Sequence, residues 1–79
     1  MSRRLVLYHR NGCHLCEQML AELQGLYGEG LAITLVDVDS NADLHARYGQ
    51  QVPVLMGGGR ILSSGRLDGA SVEAFLAGS

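Results

Sequence analysis

Two apolar runs, Leu-Val-Leu at 5–7 and Leu-Ala-Ile-Thr-Leu-Val-Asp-Val at 31–38, bracket a stretch with the spacing of a helix. No other feature of the chain constrains its fold as much. In the first run the apolar residues adjoin rather than alternate, as in a strand buried on both faces, and a first strand is expected over 4–9. Asn11-Gly12 ends it, and Gly12 can take backbone angles that let the chain turn tightly into a helix. Over 13–27, Leu15, Met19, Leu23 and Leu26 recur at i, i+4, i+8 and i+11, the stripe of a buried helix face. Glu17, Gln18, Glu22 and Gln24 fill the other side, and Gly28 is the expected stop. Residues 31–38 then read as a second strand. Strand, helix and strand within roughly 35 residues make a βαβ unit, whose strands run parallel.

The remainder adds two hairpin strands and two short helices. Ser40 or Asn41 is placed to cap a helix over 41–48, with Leu44 and Tyr48 inward and Gly49 at its end. Val52-Pro53-Val54-Leu55-Met56 is a third strand. Pro53 has no N–H to donate, so it belongs at the strand's start or on an exposed edge. Three glycines at 57–59 turn the chain into an antiparallel fourth strand, Arg60-Ile61-Leu62. Ser63-Ser64-Gly65 reads as a loop. Asp68 is placed to cap a last helix over 69–77, whose apolar side is Val72, Phe75 and Leu76. The order is β-α-β-α-β-β-α, an α/β domain spanning 1–79 without internal repeat or linker. Aromatic residues are only 5% of the chain, so its core must be built mostly from Leu, Val and Ala.

Charge excludes some partners. The net charge is −2 and all the basic residues are arginine, which does not point to nucleic acid or an anionic membrane. No apolar run approaches the ~20 residues that span a bilayer. The apolar run after Met-Ser-Arg-Arg is too short for a signal peptide. A cytoplasmic monomer with no nucleic-acid or membrane partner is the expectation.

Both cysteines, Cys13 and Cys16, fall where the first strand gives way to the first helix. Two cysteines in a cytosolic chain suggest catalysis or metal binding more than a structural staple. A bond across so short a loop also restricts the unfolded chain little. Residues three apart on a helix share a side, so the two sulfurs can meet. Cys13 lies at or just before the first turn, where unpaired N–H groups and the positive end of the helix dipole favour a thiolate. Cys16 is one turn further in. Cys13 is therefore the expected nucleophile toward a substrate disulfide, and Cys16 the residue that resolves the mixed disulfide.

Neighbouring groups can tune this chemistry. A protonated His14 or His9 near Cys13 would favour its thiolate, although the dipole opposes positive charge at a helix start. Arg10 would add positive potential. The competing reading makes all three exposed loop residues. A metal reading also stays open: Cys13, Cys16, His14 and His9 offer a Cys2His2 set for zinc in principle. The chain has no second C-x-x-C or spaced His pair to support it, and no metal ligand is assigned.

Two further patterns are weaker. Asp37-x-Asp39-x-Asn41-x-Asp43 starts like a calcium loop but has Ala42 and Tyr48 where that loop needs Gly and Glu. The glycines at 57–59 are followed by a strand pattern, not by the helix of a phosphate loop.

Taken together, Gly-Cys-His-Leu-Cys opening a helix after a strand, Val-Pro after the second helix, a short hairpin and a final helix resemble the glutaredoxin branch of the thioredoxin superfamily. The likeness is closest to small glutaredoxin-like proteins with Tyr-x-x-x-x-Cys-x-Leu-Cys and Val-Pro-Val-Leu, here Tyr8 to Cys16 and Val52 to Leu55. It implies a thioredoxin fold with a central four-stranded mixed sheet, a nucleophilic Cys13 and a resolving Cys16, and makes the chain a candidate thiol–disulfide oxidoreductase. It also implies a cis Val52–Pro53 peptide facing the cysteines, with the Val52 backbone free to pair with an extended thiol peptide. Arg10 stands roughly where glutaredoxins carry a lysine, and His14-Leu15 replaces their Pro-Tyr. Arg10, His14, Val52 and Pro53 are the substrate-binding candidates. The expected partner is a disulfide-containing protein or a small thiol such as glutathione. Ser63-Ser64-Gly65-Arg66-Leu67-Asp68 departs from the Gly-Gly and acidic pair that hold glutathione, so glutathione enters only as an alternative co-substrate. The rival function is a non-catalytic module that binds a thiol partner or a metal through the same cysteines, either zinc or, as the resemblance to some glutaredoxins implies, an iron–sulfur cluster shared by two chains through Cys13.

Overall fold

The computed structural model describes residues 4–78; residues 1–3, where the basic N-terminal stretch begins, and Ser79 lie outside the described residues. The elements are β1 (Arg4–His9), α1 (His14–Tyr27), β2 (Ala32–Asp37), α2 (Ala42–Tyr48), β3 (Val54–Gly57), β4 (Arg60–Ser64) and α3 (Gly69–Gly78). The sheet order is β2-β1-β3-β4. β1 runs parallel to β2 and antiparallel to β3, and β4 pairs antiparallel with β3. This is the expected β-α-β-α-β-β-α order around a four-stranded mixed sheet. Among the described residues, no helix is long and apolar enough to cross a membrane.

β1 is central, and its unbroken apolar run serves two faces. Leu5 and Leu7 join Leu55 beneath Met19 and Leu23 of α1 and Val72 and Leu76 of α3. Tyr8, on the opposite face, packs with Val38, Tyr48 and Val54. The Tyr8 and Tyr48 rings stack with centroids 4.7 Å apart, joining β1 to the end of α2. The Tyr48 hydroxyl lies 3.8 Å from the Met56 sulfur. As the composition requires, leucine dominates the first of these cores.

The buried face of α1 is not the expected one. Cys16, Met19 and Leu23 are buried, with Leu20 and Tyr27 packed beside them. Leu15 is 44% exposed and Leu26 64%. At 3.6 residues per turn, Leu15 and Leu26 lie roughly 80–100° round the helix from the line through Cys16, Leu23 and Tyr27. The apolar residues of α1 therefore cover more than one face, and the sheet takes the face that carries Cys16.

Smaller differences have local causes. β2 ends at Asp37, where a 3-10 turn over Val38–Ser40 begins. Asp37 holds that turn: its Oδ1 accepts the Asp39 N–H at 2.9 Å and its carbonyl accepts the Ser40 hydroxyl at 2.6 Å. The Asp-rich stretch thus makes a turn and then a cap, since Asn41 Oδ1 accepts the N–H groups of Asp43 and Leu44. β3 begins at Val54 rather than Val52. β4 continues through Ser63 and Ser64, which pair with Leu55 and Val54 beyond a bulge at Leu55/Met56. Ser63 is buried, and its hydroxyl accepts the Asp68 N–H at 2.8 Å. Asp68 caps α3, accepting the Ser71 N–H at 3.2 Å and the Ser71 hydroxyl at 2.7 Å.

Candidate functional site

The end of β1 delivers the chain to the start of α1 through a tight turn. Gly12 takes φ +74°, which favours glycine, and the Cys13 N–H donates to the Arg10 carbonyl at 3.3 Å. Cys13 itself is the N-cap of α1, with extended φ −86° and ψ 104°. Its Sγ accepts the Cys16 N–H at 3.1 Å, and its carbonyl accepts the Glu17 N–H at 3.2 Å. A sulfur in the cap position thus takes the place of the usual Ser, Asp or Asn oxygen. Cys13 and Cys16 are joined in a disulfide with their Cα atoms 5.2 Å apart. Cys13 is half-buried, while Cys16 is only 4% exposed.

The other candidates are held in different ways. Arg10 Nε donates to Asp39 Oδ2 at 3.2 Å, and its Nη1 donates to the Gly49 carbonyl at 3.3 Å. Its guanidinium therefore ties the cysteine turn to both ends of the α2 region. His45, given no role by the sequence, completes this tie with Nε2 3.5 Å from Asp39 Oδ1. His14 is almost fully exposed, with Nδ1 4.0 Å from Glu17 Oε2. The Val52–Pro53 peptide is cis. Pro53 directly precedes Val54, which pairs with Tyr8, so the register places it at the end of the sheet where β1 runs into the cysteine turn. Its carbonyl accepts the Gly65 N–H at 2.9 Å. One expectation is corrected here. The Val52 N–H is not free, because it donates to the Tyr48 carbonyl at 3.1 Å. The chain leaving α2 closes a turn on itself before β3, and an added strand would have to pair through the Val52 carbonyl.

Two features beside the disulfide were not legible in the sequence. Leu15, exposed between the cysteines, lines a shallow groove with Met19, Gly65, Arg66 and Leu67. On the other side of α1, a cleft runs down to Cys16 between α1 and the ends of β1 and β2. Leu7 and Leu35, register partners across β1 and β2, both line that cleft, and their neighbourhood becomes visible only once the strands are aligned. Among the described residues, no three His, Cys, Asp or Glu side chains gather as a metal ion requires.

The model of the Glutaredoxin-like domain (DUF836) matches residues 4–77. The chain belongs to the glutaredoxin-like domain family. Solved structures agree. This glutaredoxin-like domain is similar to protein Ne2328 from Nitrosomonas europaea, solved by solution NMR, with 35% identity and a TM-score of 0.80 over 91% of this chain and 88% of that one. It is also similar to the crystallographic target protein XcR50 from X. campestris, with 34% identity and a TM-score of 0.73 over 95% of this chain and 97% of that one. Thioredoxin 1 from Thermosipho africanus TCF52B superposes over 94% of both chains with a TM-score of 0.60 at 17% identity, a likeness of fold alone. No curated protein matches the chain. The glutaredoxin-like domain therefore has a thioredoxin fold with a Cys13–Cys16 pair at disulfide distance.

Proposed function

We propose that this glutaredoxin-like domain is a thiol–disulfide oxidoreductase that works through Cys13 and Cys16. The observation that carries the reading is the position of Cys13 Sγ as the cap of α1, 3.1 Å from the Cys16 N–H. In the reduced protein the same N–H and the helix dipole favour a thiolate at Cys13. That thiolate attacks one sulfur of a substrate disulfide R–S–S–R′. A Cys13–S–S–R bond forms and R′S⁻ leaves with the electron pair. Cys16 then attacks Cys13 Sγ, the intramolecular disulfide closes, and RS⁻ departs. The substrate is reduced by two electrons and the dithiol is oxidised by two.

The substrate is a disulfide of an accessible protein segment or of a small thiol such as glutathione. His14 stands fully in solvent at the helix start, where an incoming thiol must pass. An extended peptide would lie along the Val52–Pro53 turn, meeting the Val52 carbonyl. Arg10 acts on the turn's position through Asp39 and Gly49 rather than by contact with substrate. The domain works as a cytoplasmic monomer, needs no resident cofactor, and takes its electrons from a thiol donor.

The test is the rate of iodoacetamide labelling of the reduced protein against pH, with mass spectrometry to locate the label. Fast labelling of Cys13, with an apparent pKa well below the ~8.5 of a free thiol, and slow labelling of Cys16 support the reading. An ordinary thiol titration at both positions overturns it.

A further inference from the structure

We infer that His9 is the proton acceptor for Cys16 in the closing step, an inference that rests on the dithiol reading above. The closing step has a physical difficulty. Cys16 must attack as a thiolate, yet it is 4% exposed and sits among leucines, and burial in apolar surroundings disfavours the charged sulfur. The Cys13 cap position does not help it, since the cap sulfur receives the Cys16 N–H rather than the reverse.

The strand alternation supplies a base. Along β1, Leu5, Leu7 and His9 share the face that lies under α1, because side chains two apart on a strand point the same way. Leu5 and Leu7 are buried on that face, and His9 continues it at the strand's end. There it borders the cleft of about 210 Å³ that descends to Cys16, walled by Leu7, Leu20 and Leu35. His9 and Cys16 thus open onto one small, mainly apolar space.

The other charged groups around that space are spoken for. Arg10 carries no acceptor and is bound to Asp39 and Gly49. Glu17 reaches the cleft from α1, but its side chain is 79% exposed and lies toward His14. From β2, Asp37 is the register partner of His9, and its Oδ1 is engaged by the Asp39 N–H. Histidine is also the side chain whose proton exchanges most readily near neutral pH.

The step balances without an added reagent. In the mixed disulfide, His9 takes the proton from the Cys16 thiol. The thiolate attacks Cys13 Sγ, the Cys13–Cys16 bond forms, the Cys13–S–R bond breaks, and RS⁻ leaves with the electron pair. The imidazolium then returns its proton to RS⁻ or to water.

The experiment separates the two halves of the exchange. Reduced protein is mixed with dithiobis-nitrobenzoate, an aromatic disulfide whose thiolate product is coloured. Attack by Cys13 releases one equivalent and closure by Cys16 releases the second. In His9→Gln the first release should keep its wild-type rate, and the second should slow about 100-fold near neutral pH, the low end of general-base effects. Wild-type closure should depend less steeply on pH than closure in the variant. Closure in the variant should rise steadily with pH, and added imidazole should partly restore it. An unslowed second release in His9→Gln, or slowing by Glu17→Gln in its place, would overturn the inference. An absent first release in the wild type would overturn the dithiol reading, and the inference with it.

Discussion

The Arg10 guanidinium lies 3.2 Å from the Asp39 carboxylate, which joins the cysteine turn to the turn after β2. Both side chains are close to half-exposed, 40% and 42%, so solvent screens the pair. Such pairs contribute roughly 0–1 kcal/mol. A double-mutant cycle of Arg10→Ala and Asp39→Ala, followed by urea unfolding, should give a coupling below about 1 kcal/mol that shrinks with added salt. A coupling several times larger would show the tie to be structural rather than positional.

The face that α1 presents to the sheet sets a sharp contrast between two leucines. Leu23 is fully buried and Leu26 is 64% exposed. Leu23→Ala should destabilise by about 2–5 kcal/mol. Leu26→Ala should stay within roughly 0.5 kcal/mol of wild type. Equilibrium denaturation of both variants checks this, and equal losses would mean that the helix is rotated from the position described.

Gly57 is closely confined. A Cβ there would lie 3.0 Å from Leu5 Cδ2, Leu62 Cδ1 and Phe75 Cε2. All three are side-chain ends from different elements, and each would have to give by a few tenths of an ångström. Gly57→Ala should therefore destabilise by about 1–3 kcal/mol, the usual range for overpacking. Thermal unfolding is the readout. The exposed and unconfined Gly25 is the control, and its replacement by Ala should stabilise α1 slightly.

The Asp68 cap predicts a pH dependence. The Ser71 hydroxyl, and then the Ser71 N–H, hold the Asp68 carboxyl below its usual range. A carboxyl with a depressed folded pKa contributes stability that is present above its unfolded value, about 3.9, and is lost as pH falls through the folded value. The melting-temperature gap between wild type and Asp68→Asn should be steady at neutral pH and close as the pH falls below about 4. A gap that persists into acid would place the cap's contribution in geometry alone.

The cysteines should fail differently. Cys13→Ser should abolish disulfide reduction. Cys16→Ser should accumulate a mixed disulfide at Cys13, seen as a mass increase that reductant removes. Full activity in both variants would exclude the dithiol route.

Much of this was legible because short-range rules decide it. Asn41 and Asp68 cap the helices they precede, and the run at 5–7 lies in an inner strand, with Leu5 and Leu7 buried on one face and Val6 half-buried on the other. Cys13 sits where strand meets helix for the same reason. The failures came where the partner decides. Leu15 and Leu26 are apolar, yet the sheet covers the Cys16 side of α1 instead. Ser63-Ser64 has the composition of a loop, but it extends β4 because Asp68 supplies a buried hydroxyl with its donor. The Val52 N–H is used up by the Tyr48 carbonyl, a closure that propensities do not register. The cleft beside Cys16 joins residues of β1, α1 and β2 that only the strand register brings together, Leu7 and Leu35 among them.

The stacked rings of Tyr8 and Tyr48 have a practical consequence. The chain has no tryptophan and three tyrosines, so this pair should dominate its aromatic optical signal. Near-ultraviolet circular dichroism then becomes a local gauge of the seam between β1 and α2. It lies on the face of the sheet opposite the cleft, so a change in that signal on reduction would mean that electrons placed on the sulfurs are felt through the thickness of the sheet.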